Sequence, residues 1–245
     1  MNSKFLVLAL AGCSFASRCS STRTVNITLP PRLGLENTPI NIQGQLTIDF
    51  NVKANDTLVV LSLEIAGQPT AEYDDQSLNA TDALGDLSLT TSDRIGPHNL
   101  QSRFWIASRN AHAPITVTFT AQPRGIQENT KMGPLFDIRE NAGGLIGSMW
   151  ALLPVPADEK VKFRFTLSWD LSTTPEKTRA VWTWGEGPRT VPVTGTTSTL
   201  VQSFFAVGAI SSYPPQPTNG HFGMYWLEQP PFNVDELASF IQGYF

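Results

Sequence analysis

A chain of 245 residues with 16% charged and 41% hydrophobic residues has material for one large domain or two small ones, and too many apolar residues for long disorder. A net charge of −4, with no basic stripe along the sequence, argues against a nucleic-acid partner. Eighteen glycines and eighteen prolines, spread along the chain, point to many short strands joined by turns and hence to an all-β fold.

Residues 1–16 read as a signal peptide. Lys4 gives a positive start, Phe5 to Ala11 is an unbroken apolar run, and Ser14 and Ala16 suit the positions before a signal-peptidase cut. The bacterial alternative is a lipoprotein signal over residues 1–12, because Leu10-Ala11-Gly12-Cys13 matches a lipoprotein box and would leave Cys13 lipidated. Either way the expected location is secreted or extracellular, anchored through Cys13 in the second case. The run is too short for a transmembrane span. Cleavage after Ala16 leaves Cys19 alone, so the mature domain has no internal disulfide and relies on packing. Asn26, Asn55 and Asn79 each open an Asn-x-Thr sequon, which in a secreted eukaryotic glycoprotein would carry glycans on exposed turns.

Residues 20–230 are expected to form a β-sandwich of about ten mostly antiparallel strands. Val25 to Leu29 is a short strand. From Gly44 to Val52, Leu46, Ile48 and Phe50 alternate with Thr47 and Asp49. Thr57 to Ile65 is nearly continuous apolar sequence. The polar, acidic segment from Ala71 to Asp93 reads as a long connection with short strands, one of them Leu87 to Thr91. Ser102 to Ala107 and Ile115 to Ala121 are strong strands. Val161 to Trp169 has the clearest period of two, with Val161, Phe163, Phe165, Leu167 and Trp169 on one face. Ala180 to Trp184 and Thr199 to Val207 follow at sandwich spacing. Residues 231–245 switch to a helical period. Asn233 is a good N-cap with Glu236 three residues on, Phe232 and Leu237 suit a hydrophobic staple, and Leu237, Phe240, Ile241, Tyr244 and Phe245 make an apolar stripe. The stripe either docks back on the sandwich or begins a second domain.

Between Asp137 and Pro188 glycine, tryptophan and acidic residues are densest. Gly143-Gly144-Leu145, Gly147-Ser148, Trp150, Trp169-Asp170-Leu171-Ser172, Arg179-Ala180-Val181-Trp182, Gly185-Glu186-Gly187-Pro188, Phe205-Ala206-Val207-Gly208 and Phe222-Gly223-Met224-Tyr225-Trp226 together resemble the N-terminal β-domain of glycyl-aminopeptidase-like metallopeptidases. The resemblance runs from about Ile115 to Phe245. It implies a β-domain that precedes a thermolysin-like helical domain, with zinc held in that later domain by a His-Glu-x-x-His helix and a downstream Glu. This sequence has only His98, His112 and His221, none of which begins that motif. The expectation is therefore a front domain without the catalytic machinery: no catalytic residue, no metal and no cofactor in this chain, and a missing C-terminal catalytic domain or partner chain as neighbour, with peptide as a further ligand. The resemblance also places the Gly143-Gly144 segment on the side facing the catalytic domain.

The remaining constellations have plainer alternatives. Asp170 and Glu186 are the best of several acid pairs for glycoside hydrolysis, and each also fits a turn. Trp182 and Trp184, two apart, would share a strand face; such a pair can hold a carbohydrate or a peptide in a free-standing binding module, fill a core layer, or meet a partner domain. No Gly-x-Ser-x-Gly elbow is present.

Overall fold

The computed structural model describes residues 22–34, 39–65, 68–70, 73, 77–123, 138–141, 144–190, 192–215, 223–227 and 232–243. Its strands form an eight-stranded, a five-stranded and a four-stranded sheet and two ribbons, with short helices between them. The apolar faces of the three sheets meet in one contiguous core.

The eight-stranded sheet runs in the order Val193–Gly195, Phe163–Trp169, Arg23–Leu29, Pro39–Ile48, Ile115–Ala121, Leu78–Asp82, Gly85–Asp86, with Pro31–Leu33 also beside Pro39–Ile48. Strict alternation sets its two faces. Val25, Ile27 and Leu29 point inward while Asn26 and Thr28 point out, and Ile115, Val117, Phe119 and Ala121 repeat the pattern. Arg23–Leu29 lies parallel to Phe163–Trp169, the one parallel pairing among the described strands, with most of the domain threaded between them. At Gly44 the ring of Phe119 occupies the space of a side chain, so a Cβ built there would lie 1.9 Å from its Cζ.

The four-stranded sheet runs Val155–Pro156, Thr57–Ser62, Gln101–Ala107, Leu89–Ile95. Leu58, Val59, Val60 and Leu61 are all buried, so Thr57–Ser62 is covered on both faces, which explains its continuous apolar run. Tyr73 joins this sheet to the first: its ring sits 6.3 Å from Trp105 and 5.9 Å from Phe119, and its hydroxyl donates to the Leu152 carbonyl. Burial pushes the Tyr73 phenol well above its usual range.

Two expectations are adjusted. The short strands expected before Asp93 are present as Leu78–Asp82, Gly85–Asp86 and Leu89–Ile95, the last shifted by two residues or more from Leu87–Thr91. The expected strand from Thr199 begins as a helix, Thr197–Val201, and becomes a strand only at Phe204–Gly208. In the last helix, Val234–Gln242, the Asn233 side chain accepts from the Glu236 N–H at 3.2 Å as expected, yet the buried residues are Val234 and Ala238. Leu237 is 37% and Phe240 64% exposed, so of the two courses open to the stripe these residues do not take the docked one among the described residues.

Candidate functional site

The five-stranded sheet collects the sequence-predicted residues. It runs Ile138–Asn141, Gly144–Ser148, Phe204–Gly208, Arg179–Trp182, Gly185–Glu186. Gly143 lies outside the described residues. The register aligns Gly144 with Gly208 and Arg179, and Ile146 with Ala206, Val181 and Glu186. Gly144 serves close backbone approach: a Cβ there would lie 2.2 Å from the Val207 carbonyl oxygen and 2.9 Å from the Gly208 Cα.

The two tryptophans do not share a face. The strand ends at Trp182, and Trp184 belongs to the turn that follows. Trp182 is buried and donates its Nε1–H to Ser203 Oγ at 2.6 Å, and Ser203 in turn donates to the Leu200 carbonyl at 2.6 Å. Trp184 stays 40% exposed and meets Trp182 edge-on, centroids 6.5 Å apart. Behind Trp182, Phe205 stacks at 5.6 Å on Trp169 and ties this sheet to the eight-stranded one.

Glu186 is the centre of a polar cluster on the other face. Arg179 donates Nε and Nη2 to Glu186 Oε1 at 2.8 and 2.5 Å, Nη1 to the Ile210 carbonyl at 3.0 Å and Nη2 to Ser212 Oγ at 3.0 Å. The Tyr225 hydroxyl donates to Glu186 Oε2 at 3.1 Å. Burial first, and the neighbouring Glu186 carboxylate second, push the Tyr225 phenol up to about 12. The cluster clamps the Ile210–Tyr213 and Met224–Leu227 ribbon to the sheet. Every member is hydrogen-bonded to Arg179 or Glu186, so its chemistry is spent on holding two elements together. In the sequence Arg179 and Tyr225 appear only as parts of motifs; Arg179 meets Glu186 across adjacent strands, whereas Tyr225 comes from the distant Met224–Leu227 strand.

Asp170 plays a different part. Its Oδ1 accepts from the Ser172 N–H at 3.1 Å, and these turn bonds, with Arg32 nearby, hold the carboxyl below the usual range. Asp170 thus takes its plainer role as a turn cap, whereas Glu186 lies in a short strand rather than a turn and forms an ion pair with Arg179. His98 lies exposed in a 3-10 turn, 5.2 Å from Trp150 in an edge-on contact, and His112 donates its backbone N–H to Asp82 Oδ2 at 3.0 Å. His221, Cys13, Cys19 and the leader fall outside the described residues. Among the described residues no group of three or more His, Cys, Asp or Glu could hold a metal ion. No helix among them is long and apolar enough to cross a membrane. Asn55 occupies a turn with φ 67°, whereas Asn26 and Asn79 project, exposed, from strands on the outer face of the eight-stranded sheet.

No protein-family model matches the sequence, and no curated protein matches it either. In structure the chain is similar to a two-domain M1 zinc metallopeptidase mutant with bound L-tryptophan, at 12% identity and a TM-score of 0.42 over 78% of this chain and 42% of that one. It is similar to an M1 zinc metallopeptidase mutant from Deinococcus radiodurans bound to a Tyr-Ser-Ala substrate, at 14% identity and a TM-score of 0.40 over the same shares, 78% and 42%. It is also similar to native leukotriene A4 hydrolase from Saccharomyces cerevisiae, at 16% identity and a TM-score of 0.43 over 83% of this chain and 31% of that one. The chain therefore spans less than half the length of each.

Proposed function

We propose that this chain is the non-catalytic N-terminal β-domain of a secreted metallopeptidase-like protein, packing beside a zinc aminopeptidase domain and shaping its peptide cleft. The observation that carries the reading is the outer face of the five-stranded sheet. It is built from the residues that carry the sequence resemblance, and it presents Ile146, Val181 and Ala206 half-buried in one row with Phe204 45% exposed beside them. Apolar side chains gathered outside the core on one sheet face are the mark of an interaction surface. The Arg179–Glu186 pair lies along the same face and gives it a polar rim. In this reading the zinc and the activated water belong to the neighbouring domain, and this chain contributes wall and orientation. The apolar leader and the exposed sequon asparagines support the secretory route. The alternative of a free-standing carbohydrate-binding module loses its two-ring platform, because Trp182 is inside the core.

The test is to identify what accompanies the protein. Reading the transcript past the Phe245 codon, and sequencing what co-purifies with the native protein, should yield a polypeptide with His-Glu-x-x-His. The purified 245-residue chain should be inert on aminoacyl p-nitroanilides with and without zinc. A Phe204→Asp variant should lose the neighbour. Metal-dependent turnover by this chain alone, or a neighbour retained undiminished by Phe204→Asp, overturns the reading.

A further inference from the structure

The four-stranded sheet ends in a strand with one side unpaired among the described residues. Among the described residues, Leu89–Ile95 pairs only with Gln101–Ala107. The Ser108 N–H bonds the Ser88 carbonyl at 3.0 Å and the Gly96 N–H bonds the Leu100 carbonyl at 2.9 Å, and these two bonds set the phase of the ladder. Thr90, Ser92 and Arg94 therefore turn both main-chain groups toward the inner neighbour. The N–H and C=O groups of Leu89, Thr91, Asp93 and Ile95 point away from it, in the alternation of an antiparallel pair. Natural proteins blunt such an edge or use it.

Two further observations point to use. A cleft of about 590 Å³ opens at this edge, where the chain passes from the eight-stranded sheet to the four-stranded one; Leu89 and Thr91 line one side and Leu78, Ala80 and Leu87 the other. Trp105 also lines it, is 1% exposed, and has an indole Nε1–H with no acceptor among the described residues. A buried donor left unpaired in a native fold calls for an explanation. Arg103 binds both oxygens of Asp93 at 2.8 and 2.9 Å, which neutralises the carboxylate of the edge strand, while Asp86 lines the cleft farther along.

We infer that Leu89–Ile95 is a peptide-binding edge. An extended segment of a partner adds there as a fifth strand, bonding the outward main-chain groups of Leu89, Thr91, Asp93 and Ile95. Its alternate side chains enter the cleft over Trp105, and an uncharged oxygen-bearing side chain (Ser, Thr, Asn or Gln) accepts from Trp105 Nε1. A second copy paired edge to edge would satisfy the main chain but continue the sheet sideways, leaving both clefts unfilled. A lone strand fills the cleft and completes the edge together. The inference stands apart from the peptidase parentage proposed above and needs neither zinc nor a catalytic domain.

The probe is a displayed library of random linear dodecapeptides, with the best binder synthesised, fluorescently labelled and titrated by anisotropy against the intact chain. Binding tighter than about 1 mM is expected. Thr91→Pro removes an outward N–H and no bond of the inner ladder, so it should keep the urea midpoint and weaken binding by at least about tenfold. N-methylation of alternate peptide amides should abolish binding in one phase and be tolerated in the other; this arm leaves the protein unaltered and holds even if the proline variant misfolds. Phe204→Asp should leave peptide binding unchanged, separating this surface from the one proposed for the neighbouring domain. Absence of any binder, binding indifferent to both Thr91→Pro and N-methylation, or a dimer in sedimentation that Thr91→Pro dissolves would each overturn the proposal.

Discussion

Replacing Trp182 and Trp184 singly by alanine separates a structural pair from a binding platform. Trp182 is 2% exposed and Trp184 40%. A tryptophan buries on the order of 200 Å², so at about 25 cal/mol per Å² full burial of Trp182 is worth about 5 kcal/mol as an upper bound. Large-to-small changes at such sites cost about 3–5 kcal/mol, because the cavity collapses only in part. Ser203 Oγ, itself fully buried, also loses the Nε1–H it accepts and keeps only its bond to the Leu200 carbonyl. Trp182→Ala should therefore cost about 4 kcal/mol, a large part of the stability of an ordinary domain. Trp184→Ala leaves no sealed void and forfeits one edge-on ring contact and part of an exposed face, about 1–2 kcal/mol.

The assay is urea unfolding followed by far-UV circular dichroism, since removing one of six tryptophans would itself change the fluorescence. Trp182→Phe refines it. The ring is kept in outline while the bond to Ser203 is lost, and about 1–2 kcal/mol should go. Equal costs for the two alanine variants, or a cost below about 1 kcal/mol at Trp182, would refute the placement of its indole in the core. One practical consequence is that a loss of ligand binding in Trp182→Ala reports unfolding and says nothing about a sugar or peptide site at that residue.

Gly144→Ala should lower stability by about 1–3 kcal/mol, measured by the same urea titration, because the new methyl meets the Val207 and Gly208 backbone, which cannot rotate away as a side chain would. Asp82 has a side chain with no exposed surface, bonded by Arg109 at 2.7 and 2.9 Å and by the His112 and Leu84 N–H groups; chiefly through Arg109 its carboxyl lies well below the usual range. Its folded pKa being depressed, the stabilisation is complete above the unfolded value of about 3.9 and disappears as pH falls through the folded value. The stability gap between wild type and Asp82→Asn should accordingly be constant from neutral pH down to about 5 and shrink below about 4, as read from urea midpoints at several pH values. Glu186→Gln should bring the Tyr225 phenol down from about 12 yet leave it above the usual 10.0, because burial is the larger cause; ultraviolet titration of the phenolate checks this.

The strands legible in the sequence are those with one wet and one dry face. Ile115–Ala121 alternates Thr with Ile, Val and Phe and was read to the residue, and Phe163–Trp169 differs from its expectation in losing Val161, which is half-buried, and Lys162. Leu89–Ile95 was legible only in its first residues, because most of the strand is solvent-exposed and Ser92-Asp93-Arg94 shows no period. Thr197–Val201 was read as strand because Thr and Val favour strands, and its packing, with Leu200 and Val201 buried, overrides that preference. The tryptophan pair was misjudged by one turn of chain. A spacing of two means one face only while the strand lasts, and this strand stops at Trp182. The terminal helix and its Asn233 cap were legible; what the sequence left open was its buried side, which holds Val234 and the small Ala238 and leaves Leu237 and Phe240 exposed.

The candidate site was harder to read because its charged groups answer to one another. Asp82 is held by Arg109, Asp93 by Arg103 and Glu186 by Arg179, each acid claimed by an arginine from elsewhere in the chain. An acid bound in this way is poorly placed to take up or deliver a proton at neutral pH, since its charged form is the one its partner stabilises. Sequence shows carboxylates and guanidinium groups, but only the pairing across strands shows that these are clamps. With those groups occupied, what this fold offers a partner is shape and backbone. Among the described residues, the apolar row on the outer face of the five-stranded sheet and the unpaired main chain at Thr91 and Asp93 are two places where a contact can form. Both are properties of where strands end and which side faces out, which is why neither is written in any short motif.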